Sequence, residues 1–261
     1  MISTRFLAPA LAALAIAFAV PAHAQSLAQS PAQSFSDGQK DDIRGVIREY
    51  LLSHPEILEE AMGELQKRQQ AAEKEKYLAA VTANSAAIFN SPRNVVVGNV
   101  KGDVSFVEFF DYNCGYCKKA MSDMVDLLKE DRKLRVVLKE FPVLGPGSVE
   151  AAQVAVAVRM QDAGKKYLDF HLKLLGGRGE ANKARAVAAA KEAGFDMNRL
   201  DKDMASAEVR ATLEENMKLA QDMGLNGTPS YVIGQDVVVG AVGIDGLREK
   251  IHLARCGKPA C

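Results

Sequence analysis

Two cysteines separated by two residues, placed where an apolar strand hands over to a helix, constrain this chain more than any other feature. They lie in Phe109-Phe110-Asp111-Tyr112-Asn113-Cys114-Gly115-Tyr116-Cys117-Lys118-Lys119. The preceding run, 104–110, has few polar breaks, as expected of a strand buried on both faces of a sheet. Helical spacing continues from the cysteines through Leu128. Cys114 then falls at a helix N-terminus, where unpaired N–H groups and the macrodipole favour a thiolate, while Cys117 lies a turn further in and more shielded. In such a pair one sulfur attacks and the other resolves, because two intervening residues let the ring close and release a mixed disulfide.

Compartment decides whether a close cysteine pair is a staple or a reagent. Residues 1–24 carry one cation, Arg5, then an apolar run from Phe6 to Val20 broken by Pro9, and end in Ala22-His23-Ala24. This is the pattern of a signal peptide cleaved after Ala24; an uncleaved anchor is the competing reading. Export to an oxidising compartment pairs thiols. Cys256 and Cys261, five apart at the C-terminus, form a second disulfide candidate. Neither pair closes a long loop, so neither is the kind of staple that most restricts an unfolded chain.

The 261 residues hold 33 Lys+Arg against 33 Asp+Glu, which removes the net field that gathers nucleic acid. After the leader 25–36, rich in Gln, Ser, Ala and Pro, Ile43, Val46, Ile47, Tyr50 and Leu51 fall at helical spacing. Ser53-His54-Pro55-Glu56 has the form of a capping box opening a second helix. The run 66–76 continues that helix almost without apolar residues and cannot be core. Residues 37–92 are therefore either a packed extension or an oligomerisation stalk. The main domain spans 93–255. Strands are expected at 95–97, 104–110, 134–141, 230–233 and 237–242, with a helical block at about 148–223 and a last helix at 244–255. Residues 256–261 form a tail.

Residues 93–255 resemble the thioredoxin superfamily, and more closely its DsbA-like branch. Three features carry the resemblance: Cys114-Gly115-Tyr116-Cys117 after a buried strand, the helical block after the next strand, and Gly227-Thr228-Pro229-Ser230 before a later strand. The resemblance implies an α/β thioredoxin fold with an inserted helical domain. It also implies a cis-proline loop that sets Thr228 and Pro229 beside Cys114, where they pair with substrate backbone. A cis X-Pro bond is accessible at modest cost, and Pro is tolerated at the start of a strand; a plain trans turn is the alternative. Glu108, six residues before Cys114, matches the strand acid that in thioredoxins helps move the resolving thiol's proton. Lys139 is then its expected buried partner, unless both are edge-exposed charges.

The N-terminal segment, with Leu52-Ser53-His54-Pro55-Glu56 followed by a charged helix, is similar to that of the suppressor-of-copper-sensitivity C (ScsC-like) proteins. This resemblance implies a periplasmic, trimeric disulfide isomerase. Its partners would be misoxidised or reduced exported proteins and a membrane redox protein, either a DsbD-like or ScsB-like reductase or a DsbB-like oxidase. Gly115-Tyr116 lacks the Pro-His of strongly oxidising DsbA proteins, which tilts the dithiol toward isomerase or reductase. The Cys256-to-Cys261 tail is not part of the pattern. A dithiol oxidase is the nearest alternative, and Cu(I) held by reduced Cys114 and Cys117 is the alternative from another class, since two thiolates suit a soft ion. Nothing points to a nucleotide or organic cofactor.

Overall fold

The computed structural model describes residues 35–261. The expected signal peptide, and the leader up to residue 34, lie outside the described residues. Two compact units divide between Glu59 and Glu60.

Within the first unit, α1 (Asp37–Ser53) opens on a capping box formed by Ser36 and Gln39 and buries none of its residues. The S-x-x-E at 53–56 does not act as a cap. Ser53 closes α1 by donating from its hydroxyl to the Glu49 carbonyl, and α2 (Glu56–Ala83) starts beyond it. Ile43, Val46, Ile47 and Tyr50 stay exposed along α1.

The second unit begins within α2. Residues 66–76 are exposed throughout, as their polarity dictates, but the helix end turns apolar again. Val81, with Ile88 of α3 (Ser85–Asn90), is buried against Val107, Phe109 and Val137. The boundary expected at residue 92 is thus not a boundary between compact units, because 81–90 supply core to the domain that follows.

That domain is built on a sheet of five strands in the order β1-β3-β2-β4-β5. The strands are β1 (Val95–Gly98), β2 (Val104–Phe110), β3 (Leu134–Glu140), β4 (Ser230–Ile233) and β5 (Asp236–Val239). β2 and β3 run parallel through the crossover helix α4 (Gly115–Glu130), and the other pairings are antiparallel. Side chains alternate between the two faces. Phe106 and Phe110 of β2 join Val136 and Leu138 in one core with α4. Val107 and Phe109 join Val137 and the end of α9 (Ala207–Asp222) in the other.

Between β3 and β4 lie α5 (Pro146–Arg159), α6 (Lys165–Gly176), α7 (Lys183–Glu192), α8 (Met197–Met204) and α9. The expected glycine breaks separate the first four, and Ser206, which caps α9 through the Glu208 N–H, supplies one more. The chain closes with α10 (Gly243–Cys256). This is the α/β thioredoxin fold with an inserted helical domain.

Candidate active site

The sheet places the dithiol by ending β2 at Phe110 and starting α4 at Gly115. Asp111 governs the four-residue link. It is buried, and its Oδ1 accepts from the Asn113 N–H at 2.7 Å and the Ser148 hydroxyl at 2.7 Å. Its Oδ2 accepts from the Val143 and Leu144 N–H groups at 2.9 and 3.0 Å. Asn113 then reaches the helical domain, donating to the Ala181 carbonyl at 2.9 Å and accepting from the Ala181 N–H at 2.6 Å. Asp111, Asn113 and Ser148 were absent from the residues expected at the site. Asp and Asn before a helix signal a turn, but no sequence pattern tells which distant loops complete their bonding.

Cys114 is the N-cap of α4, and its sulfur accepts from the Cys117 N–H at 3.3 Å. Both cysteines are free thiols. Cys114 retains 5% of its surface and Cys117 none, so Cys114 is the more accessible of the two sulfurs. Apart from its chain neighbours and its own helix, nothing lies within 4 Å of where a Cβ at Gly115 would sit, and Tyr116 is exposed. Burial pushes the Cys117 thiol well above the ordinary cysteine range, and the charges of Glu108 and Cys114 add to this.

Opposite the dithiol, the Thr228–Pro229 peptide bond is cis. The Cys114 thiol donates to the Thr228 carbonyl at 3.1 Å. The loop is tied on both sides, by the Ser230 hydroxyl on the Gly227 carbonyl at 2.7 Å and the Gly240 N–H on the Pro229 carbonyl at 2.9 Å.

Glu108 and Lys139 are both buried, but they do not pair. Lys139 is opposite Phe109 in the β2–β3 register and Glu108 is opposite Leu138, so strand alternation puts the two side chains on opposite faces. Glu108 sits on the dithiol face, where burial raises its carboxyl from 4.5 to about 8 and Asp123 adds repulsion. Lys139 donates instead to Asn94 Oδ1 at 2.7 Å, the Ala87 carbonyl at 3.1 Å and Asn216 Oδ1 at 3.4 Å, knitting α3 to α9. Burial lowers its ammonium from 10.5 to about 8. A role for Lys139 in tuning the thiols is corrected accordingly.

Behind the link, the Tyr112 hydroxyl lies 3.4 Å from both the Tyr167 hydroxyl and His171 Nδ1. Tyr167 donates to Glu140 Oε1 at 2.5 Å. Burial holds His171 down to about 3 and raises the Glu140 carboxyl, so His171 is a neutral structural group. Cys256 and Cys261 are joined by a disulfide of 2.06 Å and are exposed. No group of three or more His, Cys, Asp or Glu side chains suited to a metal ion occurs among the described residues, so a Cu(I) ion at the dithiol would have two sulfur ligands to rest on. Among the same residues no helix is long and apolar enough to cross a membrane.

A shielded dithiol at a helix N-terminus facing a cis-proline loop defines the DsbA-like thioredoxin class, and the chain belongs to that family: the DSBA-like thioredoxin domain matches residues 106–252. That family is one of thiol-disulfide oxidoreductases. Residues 39–72 match the copper resistance protein ScsC N-terminal domain, so within the family the arrangement is ScsC-like. A thioredoxin-like oxidoreductase from Silicibacter pomeroyi is 43% identical, with a TM-score of 0.62 over 65% of this chain and 96% of that one. Salmonella enterica Typhimurium BcfH is 29% identical, with a TM-score of 0.71 over 84% and 96%. Proteus mirabilis ScsC is 28% identical, with a TM-score of 0.62 over 86% and 98%. The chain spans about a quarter of the length of the curated relatives it matches. One is the Na(+)/H(+) antiporter NhaA 1 of Salinispora arenicola, 26% identical over 167 residues, 63% of this chain and 25% of that protein.

Proposed function

We propose that the protein is a periplasmic disulfide isomerase or reductase for exported proteins, acting through Cys114 and Cys117 and assembled as a homo-oligomer, a trimer being favoured. The observation that carries this reading is the free Cys114 thiol, at the α4 N-cap and 3.1 Å from the Thr228 carbonyl, beside a fully shielded Cys117. Cys114 thiolate attacks a wrong disulfide in the client, forming one mixed disulfide and expelling one client thiolate. A client thiolate then attacks that bond to form a new pairing and restore Cys114. If none arrives, Cys117 attacks Cys114 and releases the client reduced, leaving the enzyme oxidised for a membrane reductase to reset. Glu108, buried on the dithiol face, is the group that takes the Cys117 proton on that second route. With its carboxyl raised to about 8 it holds its own proton at pH 7, so the route runs through the minority ionised form and quickens as pH rises toward 8.

The first unit supports the assembly. A 17-residue helix with no buried residue gains too little from its own hydrogen bonds to persist in water, and α1 carries an exposed apolar stripe that other copies of the same helix would cover. Several dithiols around one space suit isomerisation, whereas an oxidase needs one.

The test is recovery of activity from a scrambled-disulfide enzyme in glutathione buffer, comparing the full mature chain with its Val46→Glu/Ile47→Glu variant. Recovery by the first, with the second smaller in sedimentation and merely oxidising reduced substrate, is the expected result. If neither unscrambles and both oxidise, the protein is an oxidase. Tight Cu(I) uptake without disulfide turnover would make it a copper-binding protein instead.

A further inference from the structure

The second cysteine pair lies at the opposite pole of the domain from the first. Cys114 is the N-cap of α4 and Asp131 its C-cap. Arg255, which precedes Cys256, donates to Asp131 at 2.7 Å and to Asp103 at 2.8 Å. Asp103 stands just before β2, whose other end leads to the dithiol. From residue 114 to residue 131, at about 1.5 Å per residue, α4 separates the two pairs by about 25 Å.

Cys256 and Cys261 are bonded to each other and exposed. The bridge encloses only the tail beyond α10 and joins no two elements of the fold, so the fold does not depend on it. Exposed bridges are the exchangeable ones, open to an incoming thiolate. His252 holds the tail over the end of α10, donating from Nδ1 to the Pro259 carbonyl at 3.1 Å.

The electrical surroundings of the two pairs are opposite. At the positive end of α4, the Cys114 sulfur accepts from the Cys117 N–H at 3.3 Å. Cys256 is the last residue of α10, at its negative end. Its sulfur lies 3.3 Å from the His252 carbonyl oxygen and 3.7 Å from that of Lys258, and the Cys261 sulfur lies 3.6 Å from the His252 oxygen. The neighbouring Arg255 is already paired with two carboxylates. A thiolate is therefore favoured at the first pair and disfavoured at the second, which makes the tail bridge harder to reduce and the reduced tail the stronger reductant.

Electron pairs thus run from the tail to the dithiol, but not within one chain. With α10 intact, residues 257–261 reach at most about 17 Å at about 3.4 Å per residue, short of the separation along α4. We propose that Cys256 and Cys261 form a second redox centre, a relay that takes an electron pair from an external protein dithiol and passes it to the Cys114–Cys117 disulfide of a second copy of the chain. First, the external dithiol opens the tail bridge and becomes a disulfide, and the two tail sulfurs are left reduced. The Cys261 thiolate then attacks Cys114 of the other copy and expels the Cys117 thiolate. Cys256, losing its proton to water, attacks Cys261 in the mixed disulfide and expels the Cys114 thiolate. The tail is bonded again and the second copy holds a reduced dithiol. The inference rests on the thiol-disulfide reading above and adds a route by which that centre is reset.

The experiment mixes two variants of the full mature chain in equal amounts without other thiols: Cys114→Ser/Cys117→Ser with its tail reduced, and Cys256→Ser/Cys261→Ser with its dithiol oxidised. Samples are quenched in acid, alkylated with N-ethylmaleimide and weighed by mass spectrometry. Two thiols should vanish from the first variant as two appear in the second, with the equilibrium about tenfold toward the oxidised tail, the scale of two helix ends acting with opposite sign. In the unaltered chain, titrated with glutathione and mapped by peptide, the tail should half-reduce at a buffer ratio about tenfold more reducing than the dithiol requires. No transfer between the variants, a tail that stays bonded until the chain unfolds, or the reverse order of the two pairs overturns the inference. If the Cys256→Ser/Cys261→Ser variant also fails to exchange with a reduced, unfolded protein, the thiol-disulfide reading falls and the relay with it.

Discussion

Replacing Glu108 by Gln tests the buried acid beside the resolving thiol. In the folded chain its carboxyl is raised from 4.5 to about 8. Between those values the unfolded chain has released the proton that the folded chain still holds, so stability falls as pH rises through this window. At about 1.36 kcal/mol per pH unit, the carboxyl costs the folded state about 3 kcal/mol at pH 7 and about 5 kcal/mol above pH 8. Gln fills nearly the same volume and cannot ionise. Urea unfolding of both proteins, with the dithiol reduced, should therefore show the variant gaining on the parent by about 3 kcal/mol between pH 4 and pH 7, and by about 1 kcal/mol more by pH 9. The same change should slow release of a trapped mixed disulfide by Cys117 about 100-fold, the lower end of what a positioned base supplies. Lys139→Met, on the other face of the sheet, should not slow that step. A stability gap constant with pH to within about 1 kcal/mol would refute the assignment of a raised carboxyl.

Three further outcomes are expected. His171, held down from 6.5 to about 3 by burial, stays neutral while the unfolded chain takes up a proton, so stability is lost as pH falls from 6.5 toward 3; His171→Phe should lower the acid-unfolding midpoint, read by circular dichroism. Asp111→Ala strands four donors, the N–H groups of Asn113, Val143 and Leu144 and the Ser148 hydroxyl, and should destabilise by about 3 kcal/mol or more in urea unfolding. Tyr116→His, at an exposed position, places a donor near the Cys114 thiolate and should make the disulfide more oxidising by about 30 mV for each 1.4 kcal/mol of thiolate stabilisation, measured against a glutathione redox buffer.

Much of this was legible in the sequence because the signals are local. A cysteine pair at a strand–helix junction decides which sulfur is the more accessible, since the N-cap position of Cys114 and the inward turn of Cys117 follow from helix geometry alone. The runs 104–110 and 230–233 match β2 and β4, as continuous apolar stretches bounded by turn residues should. The Ser53 cap did not hold, because a local motif competes with the end of the preceding helix, whose last carbonyls also need donors.

What the sequence by itself determined is the chemistry and its approximate setting: a dithiol at a helix start, a proline before a later strand, and an α/β order with a helical insertion. These depend on neighbours within a few positions, whose geometry the backbone dictates. Only the tertiary structure decided which distant groups meet. Sheet register separates Glu108 from Lys139, although both are buried, because adjacent positions on paired strands face opposite ways. Asp111 organises loops more than 30 residues away, and Val81 and Ile88 belong to the core of the domain they precede. Those contacts satisfy buried donors and fill apolar volume across the whole fold, which no local pattern encodes.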